Sequence, residues 1–362
     1  MILPDRWRTG RVCVVAMSAI GDTVHTLPVL AALRRAAPTA HLTCVLQPAG
    51  ASLVSGHPSL DEIAVFQRNT PLRSYRDLRR RFGTPFDLLL VLNVAFKAGV
   101  FTALTPASIK LGFDRARARD LNWLFTTHRI PPHPRQHVQD QYFEFLAALG
   151  VPAEPVTWDL GPRPSEREAQ ARFFSAIDKP VAVLVIGTSD PDREWLPERW
   201  AELSDVLSER FGLLPVLAGG STPRELQAER AILARARHRP LSALGWALRD
   251  LVWLLDGAAL VVSLDTGPLH MGVALNRPVI ALMGSLNPKI NGPYRRFGDL
   301  LVDAYGEPAD AHPPSRQRRK GRMQFIQVAD VVARVETWKR RYADPQRVSA
   351  ARAITSPTSS TP

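Results

Sequence analysis

Residues Leu260 to Met283 read LVVSLDTGPLHMGVALNRPVIALM. An apolar, β-branched run, Leu260 to Leu264, stops at Asp265-Thr266-Gly267. A short helical segment covers Pro268 to Leu275, Asn276-Arg277-Pro278 breaks it, and a second apolar run spans Val279 to Met283. Strand, tight turn, short helix and strand is the βαβ grammar of a parallel sheet. Pro268 suits a first helical position, where its missing N–H costs nothing. Asp265, Thr266 and Gly267 therefore fall where the carboxyl end of a strand meets the free N–H groups of a helix. In open α/β sheets ligands occupy that crevice, and helix N-termini attract phosphate. Simple capping of the helix by Asp265 or Thr266 accounts for the same residue types, and both readings stand at this point.

The same alternation extends in both directions. Upstream lie an apolar strand at Val181 to Ile186, a helix from Pro197 to Phe211, a strand at Leu214 to Leu217, the turn Ala218-Gly219-Gly220-Ser221, and helices over Pro223 to Arg235 and Leu248 to Leu255. An earlier series starts with the strand at 11–16 (RVCVVA), the loop Met17-Ser18-Ala19-Ile20-Gly21-Asp22 and a helix from about Thr23 to Ala36. It continues with a strand at 41–47 (HLTCVLQ), a strand around Glu62 to Phe66, a basic helix around Tyr75 to Phe82 and a strand at Phe86 to Leu92. Helices follow at Asn93 to Leu104 and Asp140 to Leu149. Prolines gather between Val151 and Pro180, around one helical piece at Ser165 to Ile177, which marks a connection between domains. A terminal helix is expected over Met323 to Tyr342, and a Ser/Thr/Pro-rich disordered tail from Ala343. Two α/β series joined in this way predict two facing doubly wound domains with a cleft between them.

The chain has 362 residues, 45% hydrophobic and 22% charged, which fits a globular protein of two domains. No apolar run reaches the roughly 20 residues of a membrane helix, and the stretch MILPDRWRTGR lacks the pattern of a secretory signal. A cytoplasmic location is the default expectation. Cys13 and Cys44 fall in buried strands and read as inert core thiols. The net charge of +12 is carried mainly by arginine, at 76–81, 115–119 and 316–322 among other places. It points to an anionic partner, either a phosphate-bearing substrate, an acidic membrane surface or nucleic acid. No zinc-finger spacing, RNA-binding aromatic signature or recognition-helix pattern accompanies it, so nucleic acid is the weaker choice.

Three loops carry candidate chemistry. Asp22 follows Gly21 at the start of a helix, which favours an ionised carboxylate able to act as general base toward a hydroxyl; an N-cap is the plain alternative. His25 lies one turn further along and reads as a structural histidine unless it shares that face. Gly187-Thr188-Ser189 ends the strand at 181–186 and precedes Arg193, a combination suited to phosphate oxygens and to a bidentate diphosphate contact. Gly219-Gly220-Ser221 makes neither a dinucleotide fingerprint nor a P-loop.

Together, SAIGDTVHTLP at 18–28, SDPDREWLPERW at 189–200, LAGGSTPRE at 217–225, SLDTGPLHMGVALNRPVIALMG at 263–284 and NPKINGPY at 287–294 resemble the ADP-heptose:lipopolysaccharide heptosyltransferase family, glycosyltransferase family 9. The resemblance implies an α/β fold of GT-B type, two facing Rossmann-like doubly wound domains with an interdomain cleft. Residues 1–160 would bind the acceptor and 161–322 the nucleotide sugar, followed by the helix at 323–342 and the tail at 343–362. It further implies an inverting transfer of heptose or a related sugar from an ADP-sugar to a lipopolysaccharide core or similar glycan hydroxyl. Asp22 matches the catalytic base, with Ser18, Gly21 and His25 around the acceptor. Asp265, Thr266, Gly267 and His270 match the donor motif, Thr188, Ser189 and Arg193 the phosphate contacts, and Trp246 the place of the adenine. No metal or resident cofactor is implied; the ADP-sugar enters as co-substrate. A membrane-embedded phosphorylated glycolipid acceptor adds the expectation of peripheral contact with the inner membrane. The chain departs from the family at Ala16, where Lys or Arg is frequent, at Arg193, commonly Lys, and at Gly284-Ser285-Leu286. Two other readings compete. A Rossmann-type epimerase or dehydrogenase demands G-x-G-x-x-G after the first strand, where this chain has S-A-I-G-D. A non-catalytic nucleotide-sugar-binding relative would keep the fold without turnover.

Overall fold

The computed structural model describes residues 5–307 and 312–343, in two compact units that divide between Leu160 and Gly161. The first unit runs β1 (Arg11–Val15), α1 (Ile20–Ala36), β2 (His41–Leu46), α2 (Pro48–Val54), β3 (Glu62–Val65), α3 (Pro71–Arg81), β4 (Phe86–Val91), α4 (Phe96–Leu104), β5 (Ala107–Gly112), β6 (His128–Arg129) and α5 (Val138–Ala148). Its six strands pair in the order β3-β2-β1-β4-β5-β6, all parallel, with Val12 of β1 beside Leu42 of β2 and Leu88 of β4. Cys13 and Cys44 are free and buried within it, and burial pushes the Cys44 thiol up to about 12.

The second unit contains α6 (Pro164–Ser175), β7 (Val181–Val185), α7 (Pro197–Phe211), β8 (Leu214–Gly219), α8 (Pro223–Arg235), β9 (Leu241–Leu244), α9 (Leu248–Gly257), β10 (Leu260–Leu264), α10 (Gly267–Ala274), β11 (Val279–Met283), α11 (Pro288–Asn291), β12 (Val302–Asp303) and α12 (Val328–Arg341). Its strands pair in the order β12-β11-β10-β7-β8-β9, again all parallel. Every residue of β7, β10 and β11 is buried, as continuous apolar strands covered on both faces must be. After α10, Asn276 takes a left-handed backbone (φ 55°). The Asn276 N–H donates to the Val273 carbonyl and that of Arg277 to Gly272, a Schellman stop that turns the chain directly into Pro278 and β11.

The structure corrects several boundaries. α1 begins at Ile20, not Thr23, so Gly21 and Asp22 lie inside its first turn, and the N-cap is Ala19 with no side-chain cap bond. α10 begins at Gly267, and α3 at Pro71. The terminal helix begins at Val328, not Met323. A 3-10 turn at Arg322–Phe325 precedes it, because the Trp195 indole and Arg199 guanidinium capture the Ile326 carbonyl at 2.9 and 2.5 Å and hold that segment out of the helix. The sequence reading left α2 and the short strands β5, β6, β9 and β12 unassigned. The tail expected at 343–362 lies outside the described residues beyond Ala343.

The arginines are not equivalent. The Arg117 side chain is largely covered, donating to Asp114, to Glu144 at 2.7 Å and to the Pro131 carbonyl at 3.0 Å, so it ties the loop after β5 to α5 instead of facing an anion. Removing one member of a buried ion network leaves the others uncompensated, at about 3–5 kcal/mol. Arg117→Met is therefore expected to destabilise the protein by about that amount in urea unfolding, and a loss below about 1 kcal/mol would contradict the role given to this network.

Candidate active site

In a doubly wound sheet the crevice opens where the strand order reverses. In the second unit that point lies between β7 and β10: from β7 the chain builds outward through β8 and β9, then returns to β10 and builds the other way. The loop after β7, with Thr188, Ser189 and Arg193, and the turn after β10, with Asp265, Thr266 and Gly267, thereby emerge side by side. The Arg193 guanidinium joins them, donating to the Asp265 carbonyl at 2.9 Å and lying 3.9 Å from the Asp265 carboxylate and 3.5 Å from Asp190.

Thr266 is the N-cap of α10, yet its side chain caps nothing; Thr266 Oγ1 and Asp265 Oδ2 are buried without a hydrogen bond among the described residues. Capping thus does not explain this turn. Two buried polar atoms without hydrogen bonds at the start of a helix are a cost to the fold. His270 is buried one turn along α10. Burial pushes the Asp265 carboxyl up to about 6, with Arg193 opposing it.

The loop after β7 is fixed by its own side chains. Thr188 Oγ1 accepts from the Asp190 N–H at 3.2 Å, Asp190 accepts from the Asp192 N–H at 3.1 Å, and Arg318 forms an ion pair with Asp190. Ser189 is left exposed at the tip. The glycines at 219 and 220 serve packing. A Cβ on Gly187 would lie 2.2 Å from Glu225 Oε1 and 2.8 Å from Gly219 Cα, and Glu225 accepts from the Gly220 N–H at 2.8 Å. Trp246 is half-buried, its ring 5.3 Å from Trp253 and 5.6 Å from Phe173, so its packing against α6 and α9 sets the ring's orientation.

The first unit repeats the construction, with its reversal between β1 and β4. The Ser18 hydroxyl accepts from Asn93 Nδ2 at 3.1 Å, linking the loop after β1 to the loop after β4. Asp22 is half-buried in the first turn of α1. Lys97, at the start of α4, interacts with the Asp22 carboxylate; burial and the nearby Arg68 guanidinium hold the lysine below its ordinary pKa while Asp22 opposes them. This cation, absent from the sequence reading, stands by Asp22 where Ala16 provides none. Its signal is topological: β4 must be known to pair with β1 before position 97 joins position 22. His25 belongs elsewhere. It is buried, with Nδ1 3.0 Å from Gln139 Oε1 and its ring 5.5 Å from His137, and it packs α1 on α5. Among the described residues, no group of three or more His, Cys, Asp or Glu side chains is placed to hold a metal.

The raised Asp265 pKa has a defined sign in stability. Ionising a carboxyl whose folded-state pKa exceeds its unfolded value costs stability, here between about pH 4 and the folded value near 6. Asp265→Asn avoids that cost. Its stability relative to the parent is expected to rise by about 3 kcal/mol across this window and stay level above it; a difference independent of pH in denaturant unfolding would contradict the buried, unsolvated carboxylate.

Comparison with known proteins follows the same lines. The family model "Glycosyltransferase family 9 (heptosyltransferase)" matches residues 75–315. The lipopolysaccharide core heptosyltransferase OpsX of Haemophilus influenzae is 26% identical over 335 residues, covering 90% of this chain and 95% of that protein. The crystal structure of a family 9 glycosyl transferase from Veillonella parvula superposes with a TM-score of 0.78 at 22% identity, covering 92% of this chain and 98% of the other. E. coli heptosyltransferase WaaC with ADP gives 0.72 at 23% identity, covering 90% and 99%. The two parallel-sheet units thus have the GT-B type of fold. With more than half its length matched by the family model, the chain belongs to glycosyltransferase family 9, the heptosyltransferases.

Proposed function

We propose that this glycosyltransferase moves a heptose from ADP-heptose to a hydroxyl of a lipopolysaccharide core acceptor, inverting the anomeric carbon. The observation that carries the donor side is the pairing, at the β7/β10 reversal, of Arg193 with the turn whose Asp265 Oδ2 and Thr266 Oγ1 are buried without hydrogen bonds among the described residues. A diphosphate supplies acceptors for Thr266 Oγ1 and for the Gly267 N–H that opens α10, and its charge meets Arg193. Sugar hydroxyls supply donors for Asp265 Oδ2. Thr188, Ser189 and His270 complete the donor surroundings, and Trp246 offers a ring for the adenine.

Asp22 is the base. The acceptor hydroxyl gives its proton to the Asp22 carboxylate as its oxygen bonds to the anomeric carbon; the bond to the diphosphate breaks, and ADP leaves with that electron pair. Developing charge on the leaving diphosphate is stabilised by Arg193 and the start of α10, which stand in place before reaction begins. Ser18 and Gly21 shape the acceptor side of Asp22. No metal enters this scheme, since Arg193 and backbone N–H groups fill the electrostatic role. No helix among the described residues is long and apolar enough to cross a membrane. We place the reaction at the cytoplasmic side of the inner membrane, where a lipid-anchored acceptor is reached by peripheral contact.

General-base removal lowers turnover by about 10²–10⁴-fold. Asp22→Asn is expected to lose transfer to core acceptor by that factor and keep its ADP affinity in titration calorimetry. Arg193→Met is expected to weaken ADP binding about 10-fold or more, the worth of a charge-assisted bond. Turnover by Asp22→Asn at the parent rate would remove the base from this scheme, and unchanged ADP affinity in Arg193→Met would remove the diphosphate contact.

A further inference from the structure

Four large apolar side chains of the first unit stand in water: Leu72 (83% exposed), Phe96 (52%), Leu121 (59%) and Leu124 (55%). All four follow the carboxyl ends of strands. Leu72 opens α3 after β3, Phe96 opens α4 after β4, and Leu121 and Leu124 lie in the segment after β5. The segments adjoin. The Phe96 and Phe125 rings lie 6.0 Å apart, and Asn122 donates to the Ala95 carbonyl at 3.0 Å. Between α3 and α4 runs a groove of about 590 Å³ whose walls include Leu72, Tyr75, Phe96 and Val100, rimmed by Arg76 and Arg79.

Arg76, Arg79 and Lys97 line the groove, and Arg68, just before α3, and Arg73 and Arg80, within it, add to the charge of this segment. Arg68, Arg79 and Arg80 have no ion pair among the described residues, and Arg73 and Arg76 share only the exposed Asp77, each at 3.5 Å. Apolar side chains grouped on a surface mark a binding face; surrounded by arginines, this one suits an apolar medium with anionic groups at its boundary. Because the four side chains come from separate segments, they enter a fluid surface together and need no matching relief on a partner.

We infer that this edge of the first unit docks on an anionic lipid bilayer. Leu72, Phe96, Leu121 and Leu124 enter the boundary between headgroups and acyl chains, and the arginines of α3 lie on lipid phosphates. Asp22 and Lys97 occupy the same carboxyl edge of the sheet, at the β1/β4 reversal, so docking brings the base toward a lipid-anchored hydroxyl. That consequence rests on the proposed function; the docking does not.

The test is flotation of the full chain with vesicles of phosphatidylcholine alone or mixed equally with phosphatidylglycerol. The parent is expected to float with the mixed vesicles, less so at high salt, and to stay behind with phosphatidylcholine. A basic residue at an anionic surface is worth about fivefold in affinity. Arg73→Glu/Arg76→Glu/Arg79→Glu should therefore lose about 100-fold or more, and Leu72→Ser/Phe96→Ser/Leu124→Ser about 10-fold or more, with circular dichroism and ADP affinity unchanged. Should that triple variant fail to fold, Leu72→Ser alone is expected to lose about fivefold. Absent flotation of the parent, parental affinity in the apolar variants, or equal binding to neutral vesicles would overturn the inference. A concentration-dependent dimer removed by the same substitutions, without vesicle binding, would assign the face to a second copy of the chain. Turnover of a delipidated, soluble core acceptor separates the two readings: its persistence without flotation defeats the docking alone, and its loss with flotation intact defeats the transfer alone.

Discussion

One guanidinium holds the second unit's reversal point together. Arg193 sits 72 residues before Asp265 in the chain, yet it donates to that residue's carbonyl and lies beside its carboxylate. The pairing of β7 with β10 makes the meeting unavoidable, since both loops leave the sheet at the same edge. Asp190, Arg318 and the Thr188 turn then fix Arg193's own loop. The result is a positive charge held beside a helix start where Asp265 Oδ2 and Thr266 Oγ1 have no hydrogen bond among the described residues. Such an arrangement leaves the hydrogen-bond set of the fold incomplete at this turn, at a cost in stability.

The first unit uses the same topology with different residues at its reversal. Its reversal at β1/β4 brings Ser18 to Asn93 and Asp22 within reach of Lys97's field. Asp22 remains half-buried, open to an incoming hydroxyl, whereas Asp265 is buried and pushed toward neutrality. The two carboxylates, in corresponding loops, thus differ in solvent access: burial alone pushes Asp265 up, while Asp22 stays open to solvent.

Much of this was legible before any coordinates. The runs at 181–185, 260–264 and 279–283 announced buried parallel strands because a strand covered on both faces has no polar alternation. The turn at Asp265 and the loop at Arg193 were recognisable individually, from residue types at strand ends. Their adjacency came only through the family resemblance, which gives both to the donor, because strand order is set by tertiary pairing and leaves no mark on either segment. Lys97 was missed for the same reason. The short strands β5 and β6 gave weak signals, since six and two residues with interleaved polar side chains resemble loop. His25 and Arg117 show the opposite limit: residue types associated with chemistry were consumed by packing, His25 against Gln139 and Arg117 between Asp114 and Glu144. The sequence cannot separate a buried ion network from an exposed anion site when both use the same arginine.

We propose that the diphosphate of the donor lies at the β7/β10 reversal. A crystal structure of the chain soaked with ADP-heptose tests it most directly. Diphosphate oxygens are expected within hydrogen-bond distance of Arg193, Thr266 Oγ1 and the Gly267 N–H, with a sugar hydroxyl on Asp265. A diphosphate bound away from Arg193 and the turn at 265–267 would contradict it.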